Sequence, residues 1–429
     1  MLAFTPLLLR LSALLATAAA KTCTIPVLPA DVDSTANVLA AARNCSQDAT
    51  IVFSPNATYL LEHPVQLNLT NVVVELNGNL SLPENITLVA SQVYQASNTS
   101  NNQNDTSWIV FNGLNITFQG SNSSSGGWIN GNGQGWWDVH LQKGRPHLIG
   151  WFVNGGVVRD LKIQKPIAWV FFMIANNTLA ENNWIDARTS TPGTFPFNTD
   201  GFLVQGQNFT IHNNVVYNGD DCVTVREGTS GVTVTHNYCI NGHGLSIGSL
   251  GSNPSYLSNA SDCYFSDNTM VNSLYGARFK SFLGGRGSAT NVTYRNMFLS
   301  NVTFPIYLTQ AYYDQGSGLN GTATSNSVVT ISDFTYENFF GDINNQHPGD
   351  LSCVSDPCWY YEANVTTLES VIIDLAAGSF KNVSFSNIRV SPQPPYSLFD
   401  QRVKCDPNTA VGQNLGLVCQ DGPLVPTTL

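Results

Sequence analysis

Four short motifs between residues 198 and 280 gather most of the reactive side chains of this 429-residue chain. They are Asn198-Thr-Asp200-Gly201, Gly219-Asp220-Asp221-Cys222, Gly242-His243-Gly244 and Arg278-Phe-Lys280. Three carboxylates held together cannot all ionise without cost, because like charges a few ångströms apart raise at least one pKa. A group that keeps its proton in mild acid is what a general acid requires. Acid-assisted glycoside cleavage needs one carboxylic acid to protonate the leaving oxygen and one carboxylate to activate water or attack the sugar. Asp200, Asp220 and Asp221 supply both functions with one group to spare. His243 can orient or tune the acid. Arg278 and Lys280, at i and i+2 on one side of a strand, can bind a substrate carboxylate, so an anionic sugar fits the set. Each motif also has a plainer reading: turn chemistry for Asp-Asp, a structural His between glycines, a solvated Arg-x-Lys face, or calcium on the acidic triplet. Their joint occurrence in this order speaks against those readings.

The motifs must be brought together by the elements that carry them. Asp200, Asp220, His243 and Arg278 follow one another at steps of 20, 23 and 35 residues. A repeat elsewhere has similar steps: Ile211, Val234, Phe265, Tyr294, Tyr336 and Phe385 align at intervals of 23, 31, 29, 42 and 49 residues, in segments that alternate apolar with polar. The shorter steps suit one coil of a parallel β-helix, in which three strands and their turns make a rung stacked about 4.8 Å from the next. Longer steps mark coils with inserted loops, at Ser97 to Ser107, Ser249 to Asp262, Tyr312 to Ser327 and Asp342 to Tyr360. The four motifs are then expected on one face, each a rung above the last. Inward Asn side chains at one turn are expected to form a ladder from rung to rung. A β-sandwich shares the strand alternation but leaves the abundance of Asn without a cause. The expected fold is an all-β, single-domain solenoid over residues 21–429. Helical periodicity is read only at Asp33 to Arg43, where Asp33 or Ser34 can cap a short N-terminal helix over the end of the coil.

Composition narrows the function further. Only 11% of residues are charged, against about 25% in a typical soluble domain, while 42% are hydrophobic, which is ample for a core. A net charge of −11 with 18 Lys and Arg excludes a nucleic-acid partner. Residues 1–20, apolar except for Arg10 and ending in Ala18, Ala19 and Ala20, read as a secretory signal peptide. No later run is apolar enough to span a bilayer, so the product is expected to be secreted and extracellular, with no membrane partner. Asn-x-Ser/Thr sequons from Asn44 to Asn382 agree with that route. Sequence proximity suggests disulfides Cys23–Cys45, Cys222–Cys239, Cys353–Cys358 and Cys405–Cys419, leaving Cys263 as a buried thiol. No Cys or His spacing offers a zinc site.

Taken together, the four motifs resemble the signature motifs of glycoside hydrolase family 28, the polygalacturonase family, and the coil pattern extends the similarity over most of residues 21–429. The resemblance implies a right-handed parallel β-helix that hydrolyses α-1,4-linked galacturonate of pectic polysaccharide with inversion and without metal or cofactor; a monomer is expected. It makes Asp220 the general acid, Asp200 and Asp221 the groups that activate water, and His243 the support of the acid. Arg278 and Lys280, with Asn198, would bind substrate. A Cys222–Cys239 bridge matches the family's habit of stapling the active coil. Phe279 stands where the family usually has Ile, on the opposite strand face from the cations, and Tyr307 or Tyr312 is expected near the cleft. The inserted loops and the region from Gly242 to Lys280 favour the exo-acting branch. The competing readings are an endo-acting enzyme, a hydrolase of xylogalacturonan or rhamnogalacturonan, a calcium-dependent pectate lyase, and a non-catalytic β-helix that binds cell-wall polysaccharide.

Overall fold

The computed structural model describes residues 21–99, 106–313, 326–353 and 364–427. The expected signal peptide lies outside the described residues. The aligned repeat becomes a physical column: Ile211 pairs with Val234, Val234 with Phe265, Phe265 with Tyr294, Tyr294 with Tyr336 and Tyr336 with Phe385, all in parallel register. The column runs back through Ala180, Val158, Phe118, Val74 and Ile51 to Cys23. Among the described residues every ladder between strands is parallel except Arg402–Cys405 with Gly422–Pro423 at the C-terminal end. This is a parallel β-helix.

The steps are enforced by what the column must fill. Phe265, Tyr294, Tyr336 and Phe385 stack ring on ring, with centroids 4.4, 5.3 and 5.0 Å apart, close to the rung spacing. A slip of one residue in any coil would turn these rings out to solvent, at a cost of about 1.5–3 kcal/mol each.

Asn is abundant for two separate reasons. At one corner, Asn183, Asn214, Asn237 and Asn268 are buried, and the backbone N–H and side-chain amide of each of the first three donate to the Oδ1 of the Asn a rung above. This is the expected ladder. At another corner the chain turns through the left-handed region, where Asn is best tolerated after Gly: Asn71, Asn115, Asn177, Asn208, Asn291 and Asn382 have φ between 52° and 60°. Asn115, Asn208, Asn291 and Asn382 are each followed by a buried apolar residue and then an outward Thr or Ser. The sequon pattern at those sites therefore follows from coil geometry.

The helix Thr35–Asn44 covers the first coil with Val38, Ala41 and Ala42. Asp33, not Ser34, caps it, accepting from the Thr35 N–H at 2.9 Å. The sequence reading missed the helix Ile86–Thr99, although Ile86, Val89, Ala90 and Val93 have helical spacing and pack on the core, and a short helix at Gln134–Asp138. The inserted segments are also shorter than expected, because the strand Ser258–Ser266 takes in Asp262 and the strand Val329–Ile343 takes in Asp342. The disulfides Cys23–Cys45, Cys222–Cys239 and Cys405–Cys419 are formed and Cys263 is a buried free thiol. Cys353 is disulfide-bonded, and Cys358 lies outside the described residues. Among the described residues no helix is long and apolar enough to cross a membrane.

Candidate active site

One sheet of the solenoid carries the four motifs. Along it Leu203, Thr224, Ser246, Arg278 and Tyr307 occupy one register position on successive parallel strands. The inward neighbours Val204, Val225, Ile247, Phe279 and Leu308 form a dry column, so Phe279 does sit on the face opposite the cations. In the turn that enters this sheet, the same register brings Asp200, Asp221, His243 and Tyr275 onto consecutive coils. This corrects the expected stacking. Asp221, not Asp220, lies directly above Asp200, and Tyr275, not Arg278, lies directly above His243. The coils crowd at the next position: a Cβ on Gly201 would meet the Cys222 carbonyl at 2.6 Å, and one on Gly244 (φ +71°) the Tyr275 carbonyl at 2.3 Å. The glycines after Asp200 and His243 are therefore requirements of rung spacing.

Asp221 is the anchor of the site. Its Oδ1 accepts from Arg278 Nη2 at 2.5 Å and Ser246 Oγ at 2.7 Å; its Oδ2 accepts from Lys280 Nζ at 2.8 Å and Thr224 Oγ1 at 2.9 Å. The Asp221 side chain is 1% exposed, whereas that of Asp220 is 19% exposed. Of the two, Asp220 reaches the cleft. Aromatic rings back the cations: the Arg278 guanidinium lies 4.2 Å from the Tyr275 ring centre and the Lys280 ammonium 5.3 Å from that of Tyr312. Tyr307 packs with Tyr275, Phe304 and Ile372 in an apolar cluster outside the coil.

Around Asp220 the structure gathers Asn198 and His243 and adds Arg145 and Asp350, which sequence reading did not find. Asn198 Nδ2 donates to Asp220 Oδ2 at 3.2 Å, and Asn198 in turn accepts from Arg145 Nη2 at 2.7 Å. His243 Nδ1 lies 3.3 Å from Asp220 Oδ1, and His243 Nε2 lies 2.9 Å from Asp350 Oδ2. Neither Arg145 nor Asp350 belongs to a recognisable motif. They arrive 53 residues before Asn198 and 107 residues after His243, so only the closed coil could reveal them.

The electrostatics separate the three carboxylates. Burial, then the charges of Asp220 and Asp221, raise Asp200 well above the usual carboxylate range. Burial would raise Asp220 too, but the neighbouring His243 imidazolium, with Lys280 and Arg278, holds it well below. Burial likewise opposes ionisation of Asp221, and Arg278 and Lys280 outweigh it. Burial would lower His243, but Asp220 and Asp350 push it up to about 9. Of the triplet, Asp200 therefore holds a proton most strongly, its Oδ1 buried without a partner, and the two carboxylates favour the charged form of His243. The donor atoms of Asp220, Asp221 and His243 lie within 4.8 Å of one another. They do not fit a cation: Arg278 and Lys280 already occupy both Asp221 oxygens, and carboxylates face both His243 nitrogens.

Comparison with known proteins agrees with this architecture. The chain is 36% identical over 424 residues to "Probable exopolygalacturonase C" of Neosartorya fischeri, covering 95% of this chain and 93% of that one. It is 38% identical over 405 residues to the protein of the same name from Aspergillus niger, covering 92% and 89%. In fold it is similar to endo-xylogalacturonan hydrolase from Aspergillus tubingensis, with a TM-score of 0.70 at 22% identity over 92% of this chain and 99% of that one. It is also similar to a hyperthermoactive exopolygalacturonase from Thermotoga maritima, with a TM-score of 0.61 at 13% identity over 94% and 95%. These likenesses show the right-handed parallel β-helix. Residues 64–391 match the model of glycosyl hydrolases family 28, and with the near-full-length relatives this establishes that the chain is a glycoside hydrolase belonging to that family.

Proposed function

We propose that the protein is a secreted enzyme that hydrolyses α-1,4-galacturonosyl bonds of polygalacturonate from chain ends, with inversion. The observation that carries this reading is the buried pair Arg278 and Lys280, both closed onto Asp221 beside the more exposed Asp220. A uronate carboxylate entering over the sheet would share those cations. Asp221 would then lose part of the attraction that holds it ionised, and its basicity towards a water molecule would rise. The names of the full-length relatives support the substrate and the exo mode.

Proton placement gives the sequence of events. At rest the environment favours the proton on Asp200 and the ionised form of Asp220. Its transfer to Asp220 would prime both partners at once, creating the acid that protonates the glycosidic oxygen and freeing Asp200 to accept a proton from the attacking water. The adjacent His243 charge makes protonated Asp220 a strong acid, which favours donation to a weakly basic ether oxygen. Asn198, held by Arg145, keeps the Asp220 carboxyl pointed into the cleft.

The test is a time course on polygalacturonic acid with chelator present, following reducing ends, viscosity and product length. Monomer from the outset with slow thinning is expected. Mixed oligomers with rapid thinning would replace the exo reading by an endo one, and calcium-dependent unsaturated products would replace hydrolysis by elimination. Reducing ends from xylogalacturonan alone would move the substrate to a decorated pectin. Binding to polygalacturonate without any cleavage would leave a non-catalytic binding protein.

A further inference from the structure

We propose that Asp350 is a positioning residue of this site: from a loop beyond the catalytic coils it holds the His243 ring, charged, against Asp220. This rests on the hydrolytic role of Asp220 given above. An ionised carboxylate only accepts hydrogen bonds, and a neutral imidazole donates from one nitrogen alone. His243 has a carboxylate oxygen at each nitrogen, Asp220 at 3.3 Å and Asp350 at 2.9 Å. Only the imidazolium satisfies both contacts, and the shorter is to Asp350.

The loop is built to hold that contact. The Ser352 N–H donates to Asp350 Oδ1 at 2.9 Å, which leaves Oδ2 for the ring. Thr303 Oγ1 donates to the Pro348 carbonyl at 3.1 Å, and Gln346 Nε2 to that of Pro394 at 2.6 Å. Asn344 and His347 close a turn on each other, with Asn344 Nδ2 donating to the His347 carbonyl at 2.6 Å and the His347 N–H to Asn344 Oδ1 at 3.0 Å. Two attachments and an internal turn thus fix a segment that contributes one charged atom to the site. Asp350 is 12% exposed and lines a cavity of about 430 Å³ with Arg188, Phe195, Asn241 and Asn272, so solvent reaches its side of the ring.

Among the described residues, the groups facing His243 include Asp220 and Asp221 from the preceding coil, Tyr275 from the following one with its ring at 6.0 Å, and Asp350 from the loop. Arg278 and Lys280 are closed onto Asp221. The rise of His243 to about 9 agrees with two carboxylates sharing one proton-bearing ring. Losing Asp350 removes one of the two charges that keep the ring protonated, so the ring gives up its proton at lower pH.

The experiment replaces Asp350 by Asn, which keeps the shape and removes the charge, with Asp350→Ser as a second variant and thermal unfolding as the check of folding. Two readouts are taken: the pH profile of kcat and KM on polygalacturonate, and the His243 titration by NMR on 15N-histidine-labelled protein, assigned with His243→Asn. Expected are a fall in kcat of about tenfold, within the range for residues that orient a site ligand, and KM changed by less than about twofold. The alkaline limb of kcat and the ring titration should both move down by about one pH unit or more, as for removal of one nearby opposite charge. Asp350→Glu should return the limb towards its original position. An unchanged ring titration in either folded variant overturns the proposal. If the wild-type protein does not cleave polygalacturonate, the functional reading fails separately, and the ring titration alone decides the role of Asp350.

Discussion

Two polar columns climb the same coils of this solenoid. Asn183, Asn214, Asn237 and Asn268 stack at one corner, and the coils that carry them go on to supply Asp200, Asp221, His243 and Tyr275 at the next. The first column repeats one neutral residue, and its inner amides, Asn214 and Asn237, both donate and accept along it. The second runs Asp, Asp, His, Tyr, carries charge, and leaves Asp200 Oδ1 buried without a partner. A polar column that repeats itself can satisfy every group and serves the fold. One that breaks the repeat stores unequal proton affinities, which is what catalysis needs.

The largest test of that difference is Asp220→Asn. It deletes a proton donor but little volume, so turnover should fall by about 10²–10⁴-fold with KM little changed and thermal unfolding near that of the wild type, read by steady-state kinetics and calorimetry. Full activity in that variant would remove the catalytic role read for the second column together with its neighbour Asp220. Next, Lys280→Ala leaves Asp221 buried with half of its ion pairing gone. It should cost about 3–5 kcal/mol of stability, as for breaking a buried pair, measured by denaturant unfolding, and should raise KM for polygalacturonate.

On the structural column the expectation reverses. Asn214→Ala should lower stability by about 1–3 kcal/mol, because amides above and below lose partners, while kcat of the folded variant stays within about twofold. A kcat loss beyond stability would show that the ladder also tunes the site. The His243 pairing gives a pH signature. Its pKa is raised to about 9 in the fold from about 6.5 in the unfolded chain. Its stabilisation is therefore complete below about pH 6.5 and lost as pH rises through about 9. Unfolding midpoints of wild type and His243→Asn should converge over that window. The smallest effect is Asn291→Ala at φ +55° on the exposed turn, where about 1 kcal/mol is expected from left-handed strain.

The amino-acid sequence by itself determined the coil. Steps such as 31 between Val234 and Phe265 and 29 between Phe265 and Tyr294 are covalent lengths, and an inward ring in each coil has one register that buries it. It also determined which motifs share a face, since Asp200, Asp221 and His243 ride on those steps. The second helix was legible as well, in the spacing of Ile86, Val89, Ala90 and Val93, though its polar end obscured it. Only the tertiary structure decided the pairings across the site. Arg145 and Asp350 reach Asn198 and His243 through loops, which have no periodicity from which a position can be counted. The tertiary structure also decided where the proton rests. Asp200 and Asp220 are the same residue type 20 positions apart, and their proton affinities diverge because one is enclosed beside two negative charges and the other faces an imidazolium. Residue type fixes what a group can do, while proton affinity depends on the charges folded around it.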